Sequence, residues 1–352
     1  MTLPEPRPGL RLREGYHSPQ VEVKVRLNTN ESPYPPPASW VESVAEEARG
    51  IAFHRYPDRG VTGLRARLAA LHGVEPANVL AANGSNEVLQ LLLLAYGGHG
   101  RRALVFEPTY ALHSHIARIT GTDVVTVERT PGFTIDPTAA AAVEQHRPAV
   151  TFVCSPNNPT GLAEEPGTVR DLVDGTPGLV VVDEAYGQFA RWSAVELVDD
   201  DRPLVVVRTF SKTWSMAALR LGYLIAPAAV VADLEHVTLP YHLDAVKQAA
   251  GTLALDFRAE MDGRVEAITT ERRRLVDGLE GLDVDVWPSD ANFVLFRPRR
   301  RDGAEVWASL VERSVLVRDC SSWPGLEGCL RVTIGTPEED DLFLAALTEV
   351  LA

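Results

Sequence analysis

The amino-acid sequence predicts an α/β protein, with a mainly parallel central sheet flanked by helices and a smaller α+β domain after it. Three observations support this prediction. Short β-branched runs alternate with helical stretches in the middle of the chain, a long helical pattern covers residues 245–282, and the final segment mixes strands with helices. The chain has 352 residues, 45% of them hydrophobic, which is enough for one large domain and a second, smaller one.

The alternation in the middle of the chain gives the prediction of a parallel sheet. The predicted strands cover residues 103–106, 124–127, 150–153, 179–182, 204–207 and 221–225. The predicted helices cover residues 64–71, 87–96, 112–119 and 169–173. Consecutive strands joined by helices run parallel, because each helix returns the chain to the edge of the sheet where the previous strand began.

The remaining segments predict the domain organisation. After the helical pattern at 245–282, strands are predicted at 292–296, 315–317 and 330–334, and helices at 304–313 and 337–351. We therefore expect residues 1–26 to form an N-terminal arm and part of the small domain. Residues 27–245 would form the large α/β domain, and residues 246–352 the long connecting helix and the small α+β domain.

Composition narrows the classes of function. The chain carries 34 Lys and Arg against 48 Asp and Glu, a net charge of −14, which argues against nucleic acid or an anionic membrane as the main partner. Three scattered cysteines do not suggest a disulfide framework or a zinc site and favour a reduced, cytoplasmic protein. We find no signal-peptide pattern in residues 1–15 and no apolar run of about 18 residues, so we expect no membrane span.

Lys212 is the first candidate for chemistry. It ends the segment RTFSK at 208–212, directly after the apolar run at 204–207, and open α/β sheets bind their ligands where such strands end. A lysine able to form a Schiff base, with the hydroxyl of Ser211 and the guanidinium of Arg220 nearby, has the groups that a pyridoxal phosphate (PLP) site needs. Taken alone, Lys212 is better explained as a surface lysine after a strand, and the rest of the chain reverses this preference.

Four further segments follow predicted strands, and each also has a purely structural explanation. The small-residue turn at 83–87 opens a helix, where free N–H groups bind a phosphate or are simply capped. Tyr110 could stack on a flat cofactor or pack at a rim, and the prolines at 155–161 build a tight turn with or without function. Asp183 ends a very apolar strand, where a carboxylate needs a partner such as a pyridinium N–H, a metal or a helix N-terminus. In a parallel sheet these strand ends would converge with Lys212 in one crevice.

Taken together and in order, these motifs resemble the class I and II aminotransferases, which are PLP-dependent enzymes of fold type I. More narrowly, the chain is similar to the histidinol-phosphate aminotransferases. The resemblance covers almost the whole chain. Its motifs are LNTNE at 27–31, RYPD at 55–58, GSNE at 84–87, NNPTG at 157–161, DEAY at 183–186, RTFSK at 208–212 with Arg220, ANF at 291–293 and RVTIG at 331–335.

The resemblance implies how the cofactor ring would be bound. Lys212 would hold PLP as a Schiff base and then move the proton between the substrate Cα and the cofactor. Asp183 would pair with the pyridine nitrogen and keep it protonated. Tyr186 and Asn158 would hydrogen-bond the ring oxygen, and Tyr110 would stack on the ring.

The resemblance also implies a phosphate site shared between two subunits. Ser211, Arg220 and the turn residues Ser85 and Asn86 would bind the cofactor phosphate. Tyr56 would reach the same phosphate from the neighbouring subunit, so that a homodimer would share its active sites. No metal is implied.

Four residues would contact the substrate. Arg331 would bind a substrate carboxylate in a bidentate fork, and Asn30 would lie beside it. Tyr16 and Arg318 match family residues that meet a substrate phosphate. The alternative for Arg318 is a surface ion pair, for example with Asp319.

Several residues depart from the usual pattern of the family. Asn86 stands where aspartate is commoner, Trp214 and Met216 replace residues of other shapes after the lysine, and His242 lies where asparagine is frequent after a tyrosine. These differences leave the PLP chemistry in place but put the shape of the substrate pocket in doubt.

The resemblance implies transamination of L-histidinol phosphate with 2-oxoglutarate, a phosphorylated amino alcohol reacting with a 2-oxo acid. Two alternatives keep the fold: an aminotransferase for aromatic amino acids, and a lyase like threonine-phosphate decarboxylase. A third, a PLP-binding regulatory module without catalysis, is disfavoured, because only about two dozen residues precede Leu27 and they show no helix-turn-helix and no basic patch.

Overall fold

The structure is a computed structural model that describes residues 21–136 and 138–352. In these residues the strands are β1 Val25–Leu27, β2 Val79–Ala82, β3 Arg102–Glu107, β4 Asp123–Glu128, β5 Val150–Cys154, β6 Leu179–Asp183, β7 Leu204–Thr209, β8 Gly222–Ile225, β9 Val284–Val286, β10 Phe293–Pro298, β11 Val315–Asp319 and β12 Leu330–Thr333. The helices are α1 Ala38–Gly50, α2 Thr62–His72, α3 Ser85–Tyr96, α4 Leu112–Ile119, α5 Ala139–His146, α6 Pro166–Gly175, α7 Ala228–Val237, α8 Ala245–Ala254, α9 Arg258–Glu280, α10 Gly303–Glu312 and α11 Pro337–Leu351.

The larger sheet of the described chain has seven strands in the order β2-β8-β7-β6-β5-β3-β4. Strands β3 to β7 pair in parallel, and β8 runs antiparallel to both of its neighbours. This arrangement confirms the predicted α/β fold with a mainly parallel sheet. Each of the six predicted central strands is present, with ends shifted by one or two residues.

The centre of this sheet is covered on both faces. Successive residues of a strand point to opposite faces, and here they join two different hydrophobic clusters. Val181 packs with residues of α3, α4 and α7, whereas Val180 and Val182 pack with residues of α5 and α6. Burial on both sides explains why these strands are continuous apolar runs, and each fully buried valine contributes about 1.5–3 kcal/mol relative to exposure.

The smaller sheet has the order β1-β11-β12-β10-β9 and is antiparallel except for the β1–β11 pair. The long helix α9 lays Ile268, Leu275 and Leu279 into the same cluster as Phe293 of β10 and Phe343 of α11. The N-terminal strand β1 belongs to this sheet. The division into 1–26, 27–245 and 246–352 stays a prediction.

Some elements had no clear signal in the sequence. Helix α1 has no fully buried residue, and its apolar residues at helical spacing, Trp40 and Val44, are only partly buried against the cluster that contains Phe210. Strands β1 and β9 have three residues each, too few for an alternation to be recognised. Among the helices of the described residues, none combines the length and the apolar character that crossing a membrane requires.

Candidate active site

The carboxyl ends of β2, β3, β5, β6 and β7, together with the start of β8, meet at one edge of the large sheet around a cavity of about 210 Å³. Residues from the small sheet close the other side. Of the site residues predicted from the sequence, those that line the cavity are Asn30, Ser85, Asn86, Tyr110, Asn158, Asp183, Tyr186, Ser211, Lys212, Arg220 and Arg331. The predicted convergence of these segments is therefore present in the structure.

Two predicted residues of the described chain do not line this cavity, and a third cannot be placed relative to it. Tyr56 is 80% exposed and stacks on Tyr241, with ring centroids 4.4 Å apart. Arg318 lies on β11 directly opposite Arg331 of β12. Tyr16 lies outside the described residues.

Lys212 is held inside the cavity with an unusually acidic ammonium group. Its Nζ donates a hydrogen bond to the main-chain oxygen of Thr29 at 3.0 Å. Burial, together with the positive charges of Arg331 and Arg220, lowers the pKa of Lys212 to about 7, and the charge of Glu31 opposes this shift. A large fraction of this amine is therefore neutral at pH 7, and the neutral amine is the form that attacks a carbonyl carbon or accepts a proton.

Asp183 is a buried carboxylate with two partners. Its side chain is almost fully buried, Oδ1 accepts a hydrogen bond from the main-chain N–H of Ala185 at 3.1 Å, and Oδ2 lies 3.0 Å from Nε2 of His113. The ring of His113 is stacked on Phe152 with centroids 4.8 Å apart and meets Tyr110 edge-on at 5.4 Å. His113 thus orients the carboxylate that faces the cavity.

The sequence interpretation missed His113. It lies on α4 on the same buried face as Ile116 and Ala117, so its position follows the helical spacing of apolar residues. A histidine among the apolar residues on the buried face of a helix was the one feature of the sequence that could have indicated this role. Its partner, however, is Asp183, which is 70 residues away in the chain.

Tyr186 is fixed by a residue that links the two sheets. Nδ2 of Asn30 donates to the Tyr186 hydroxyl at 2.9 Å. Oδ1 of Asn30 accepts from the Thr333 hydroxyl at 3.0 Å, and the main-chain N–H of Asn30 donates to that hydroxyl at 2.9 Å. The amide of Asn30, predicted to bind substrate, lines the cavity and also ties Tyr186, which follows β6 of the large sheet, to β12 of the small sheet.

Arg331 lies across the cavity from the large sheet. Its guanidinium donates to the side-chain oxygen of Asn158 and, at 2.8 Å, to the main-chain oxygen of Asn28. Its Cζ lies 5.1 Å from the centre of the Phe293 ring. In the part of the chain that the structure describes, the buried Nε has no hydrogen-bond partner, so Arg331 retains a donor for a bound anion.

The third wall is a cradle for an anion. Helix α3 begins at Ser85 behind Gly84, and Arg220 donates to the Ser211 hydroxyl at 3.3 Å. A Cβ added to Gly84 would lie 3.0 Å from Nη2 of Arg220, and one added to Gly222 would lie 2.3 Å from the Ser85 nitrogen. The helix N-terminus, the two hydroxyls and the guanidinium are therefore packed together, an arrangement that favours a phosphate group.

Asn86 has a supporting role in the same wall. Its Oδ1 accepts a hydrogen bond from the Tyr110 hydroxyl at 3.2 Å, which fixes the aromatic side chain at the rim of the cavity. The asparagine that departs from the commoner aspartate of the family is therefore a neutral acceptor for Tyr110.

The other departures lie outside the cavity lining. Trp214 and Met216 are buried in a cluster with Phe210 and Tyr223 beneath the loop that carries Lys212. The ring of His242 lies 2.8 Å from the main-chain oxygen of Ala81. These residues act on the cavity through packing, since none of them lines it.

The residues of the cavity fit PLP as a set. The buried carboxylate of Asp183 would pair with a pyridine nitrogen, the partly neutral Lys212 lines the same cavity, and the cradle of N–H, O–H and guanidinium donors would suit the phosphate. In the described chain, no group of His, Cys, Asp and Glu side chains is arranged to hold a metal ion. The fold and this donor set define a PLP-dependent enzyme of fold type I.

Comparisons with known proteins identify the family. The sequence model of the family described as aminotransferase class I and II matches residues 22–347. A protein of Thermobifida fusca (strain YX) named histidinol-phosphate aminotransferase is 48% identical over 349 residues, which cover 97% of this chain and 94% of the relative. A protein of the same name from Frankia casuarinae is 47% identical over 361 residues, covering 98% of this chain and 90% of the relative.

Solved structures share the fold. The structure of histidinol-phosphate aminotransferase from Sinorhizobium meliloti in complex with pyridoxal-5'-phosphate has a TM-score of 0.86 at 23% identity and covers 94% of this chain and 91% of its own. L-threonine-O-3-phosphate decarboxylase from Porphyromonas gingivalis has a TM-score of 0.81 at 23% identity and covers 93% of this chain and 99% of its own.

The chain belongs to the class I and II aminotransferases. The predictions of the fold, of an aminotransferase activity and of PLP as the cofactor are thereby confirmed. The individual roles assigned to the site residues stay predictions.

Proposed function

We propose that this enzyme transfers the amino group of L-histidinol phosphate to 2-oxoglutarate in histidine biosynthesis. The observation that carries the proposal is the pair Arg331 and Arg318, which lie directly opposite each other on β12 and β11 beside the cavity. Side chains of directly opposed residues in an antiparallel pair point to the same face, so two guanidiniums are presented together. The relatives that are 45–48% identical over nearly the whole chain bear this enzyme's name.

Both substrates of this reaction suit two arginines. The phosphate of histidinol phosphate carries close to two negative charges, and 2-oxoglutarate carries two carboxylates. Like charges placed opposite each other in a sheet repel unless an anion lies between or beside them. Arg331 would bind one anionic group in bidentate fashion, and Arg318 would add a second positive charge for the phosphate.

When bound, PLP supplies an electrophilic carbon for the substrate amine and a ring that accepts the electron pair released at Cα. The work of the protein is to hold groups and move one proton. The neutral amine of Lys212 would take the proton from the substrate Cα and deliver it to the cofactor carbon C4′. Its lowered pKa suits both tasks near neutral pH.

The remaining side chains would orient and hold charge. Asp183, anchored by His113, would keep the ring nitrogen protonated. Tyr186 and Asn158 would donate to the ring oxygen, and Asn30 and Arg331 already fix the positions of these two side chains. Tyr110 would cover the ring face, and Ser85, Ser211 and Arg220 would bind the phosphate.

We also propose a homodimer in the cytoplasm. Large apolar side chains are exposed at Phe53, Tyr56, Leu239 and Tyr241, and the Tyr56–Tyr241 stack joins the two segments that carry them. An exposed apolar patch of this kind supports an interface with a second copy, in which Tyr56 of each subunit would reach the other's phosphate cradle. The three buried cysteines are free thiols, which agrees with a reducing compartment.

An end-product assay tests the substrate. With 2-oxoglutarate as acceptor, glutamate formation from L-histidinol phosphate should exceed that from L-phenylalanine in kcat/KM by at least about a hundredfold, because phenylalanine offers only its singly charged carboxylate and leaves Arg318 without the phosphate that it would bind. A preference for phenylalanine would indicate the aromatic aminotransferase. Release of carbon dioxide from O-phosphothreonine without any oxo acid would indicate the lyase.

A further inference from the structure

Trp323 lies in the loop between β11 and β12, close to the proposed phosphate arginine. This loop is a compact series of turns: the N–H of Cys320 bonds the Cys329 oxygen at 2.9 Å, that of Trp323 bonds the Cys320 oxygen at 3.0 Å, and that of Cys329 bonds the Leu326 oxygen at 2.9 Å. The ring of Trp323 is 7% exposed. Its position is therefore well determined by the backbone beneath it.

The ring contacts the guanidinium of Arg318. The Arg318 Cζ lies 5.3 Å from the centre of the Trp323 ring, within the range of a cation–π interaction. Because Arg318 stands opposite Arg331, repulsion between the two charges pushes Arg318 away from the anion that both would bind. The indole face offers an attraction that keeps Arg318 in place when no anion is bound.

The other edge of Trp323 reaches the large domain. Its Nε1 donates a hydrogen bond to the main-chain oxygen of Thr109 at 2.9 Å. The Thr109 hydroxyl donates to Oδ1 of Asn157 at 2.8 Å. Tyr110 follows Thr109 in the chain, Asn158 follows Asn157, and both Tyr110 and Asn158 line the cavity. Trp323 therefore bridges the substrate arginine of the small sheet and the wall that would hold the cofactor.

The same residue belongs to a small hydrophobic cluster that joins the two parts of the molecule. Phe133 and the partly buried Leu162 come from loops of the large domain, and Leu295 and Trp287 come from β10 and the segment before it. These apolar side chains exclude water from the Trp323 ring on the side that they cover, which strengthens both the cation–π contact and the hydrogen bond.

We propose that Trp323 is a positioning residue that sets the preference of the enzyme for a phosphorylated substrate. Its ring holds the Arg318 guanidinium beside Arg331. Its N–H, bonded to the oxygen of Thr109, keeps this pair of arginines at a constant distance from Tyr110. The inference rests on the proposed function, in which Arg318 meets the substrate phosphate.

The test compares Trp323→Leu with Trp323→Phe in the holoenzyme. Leucine removes the π face and the N–H, so the KM for histidinol phosphate should rise about tenfold, with kcat and the KM for phenylalanine changed by less than about twofold. Phenylalanine keeps a ring face, so about half of this loss, on a logarithmic scale, should be recovered. The desamino analogue of histidinol phosphate cannot react, so calorimetry can measure its binding alone. Its Kd should be lowest for the wild type, intermediate for Trp323→Phe and highest for Trp323→Leu.

Trp192 provides a matched control. Its indole also donates to a main-chain oxygen, that of Glu164 at 2.8 Å, but it packs against the cluster of Val180 and Val182 and not in the cluster of Trp323. Trp192→Leu should leave the ratio of the two KM values unchanged. In Arg318→Ala, the further change Trp323→Leu should add no more than about twofold, because the group that Trp323 positions is gone.

The possible outcomes separate the two proposals. Wild-type preference for histidinol phosphate that persists unchanged in Trp323→Leu would overturn the role of Trp323 and leave the proposed function standing. A loss of equal size for histidinol phosphate and phenylalanine, or full additivity with Arg318→Ala, would also overturn it, since the effect would then be structural. A wild-type enzyme without preference for histidinol phosphate would overturn the proposed function itself.

Discussion

At the scale of single residues, the chemistry depends on how the cavity treats one amine. An exposed lysine is almost entirely protonated at neutral pH, with a pKa of about 10.4. In this site burial and the charges of Arg331 and Arg220 bring the pKa of Lys212 to about 7. The same burial leaves Asp183 dependent on His113 and the Ala185 N–H. The same cavity thus contains a lysine that readily loses its proton and a carboxyl group that is held by hydrogen bonds from its neighbours.

The lowered pKa of Lys212 predicts how cofactor-free enzyme captures PLP. The rate of growth of the visible Schiff-base band should rise with pH through a midpoint near 7, because only the neutral amine attacks. Arg331→Gln should move this midpoint upward, since one of the charges that lower the pKa is removed. Arg297→Gln, which lies on the surface of the neighbouring β10, should not move it. A wild-type midpoint near 10 would contradict the account of the site.

At the scale of elements, the junction between α9 and α11 contains two buried acids, Glu271 and Asp340. Asp340 of α11 is fully buried and accepts a hydrogen bond from the Gly335 N–H at 3.0 Å. Glu271 of α9 is held by Arg274 at 2.6 Å. Burial, with the nearby Glu271 adding to its effect, raises the pKa of Asp340 to about 8, although the Gly335 N–H and Arg274 oppose the rise. Asp340 is therefore mostly protonated at pH 7.

This junction predicts a pH-dependent stability. Unfolded Asp340 ionises at about pH 4, whereas folded Asp340 ionises at about pH 8, so its contribution is complete below pH 4 and is lost as the pH rises to 8. Asp340→Asn should flatten this part of the profile and be more stable than wild type at pH 8 by at least about 1 kcal/mol. Urea unfolding at several pH values measures the effect.

The neighbouring Asp341 is the control for this measurement. It is exposed and pairs with Arg274 at 2.6 Å, so Asp341→Asn should leave the slope of stability against pH nearly unchanged. If the stability of Asp340→Asn fell as steeply as that of the wild type between pH 5 and 8, the proton that titrates in this range would not lie on Asp340.

Element by element, the sequence was informative wherever one local pattern sufficed. The apolar runs that became β5, β6 and β7 are buried on both faces, and their ends placed Asn158, Asp183 and Lys212 at one edge. Contacts between distant segments were not predictable in the same way. The pairs His113–Asp183 and Trp323–Thr109 depend on how α4 and the β11–β12 loop pack, which no local spacing encodes.

At the scale of the whole molecule, the cavity lies between two sheets, and residues from both complete it. Arg331 and Thr333 come from the small sheet, and Lys212 and Asp183 come from the large one. Tyr56, in contrast, does not line the cavity of its own chain and lies in an exposed aromatic stack. A second copy of the chain is the partner that would bring this residue into use.

The shared site predicts complementation between two defective variants. Lys212→Ala and Tyr56→Ala should each be strongly impaired. When their subunits are mixed and exchanged, half of the dimers become mixed, and one of the two sites in each mixed dimer regains both residues, so about one quarter of wild-type activity should return. If Tyr56 served its own chain, the mixture would show only the average of the two parents. Light scattering should give a dimer for both variants.

The central claim is that a PLP-bearing Lys212 and a pair of substrate arginines select a phosphorylated amine. The most direct measurement mixes the purified holoenzyme with L-histidinol phosphate or L-phenylalanine, without any oxo acid, and follows the visible band of the lysine-bound cofactor. We expect rapid bleaching by histidinol phosphate and slow bleaching by phenylalanine. Faster bleaching by phenylalanine would contradict the phosphate role of Arg318, and the lack of a visible band after PLP is added would contradict the role of Lys212.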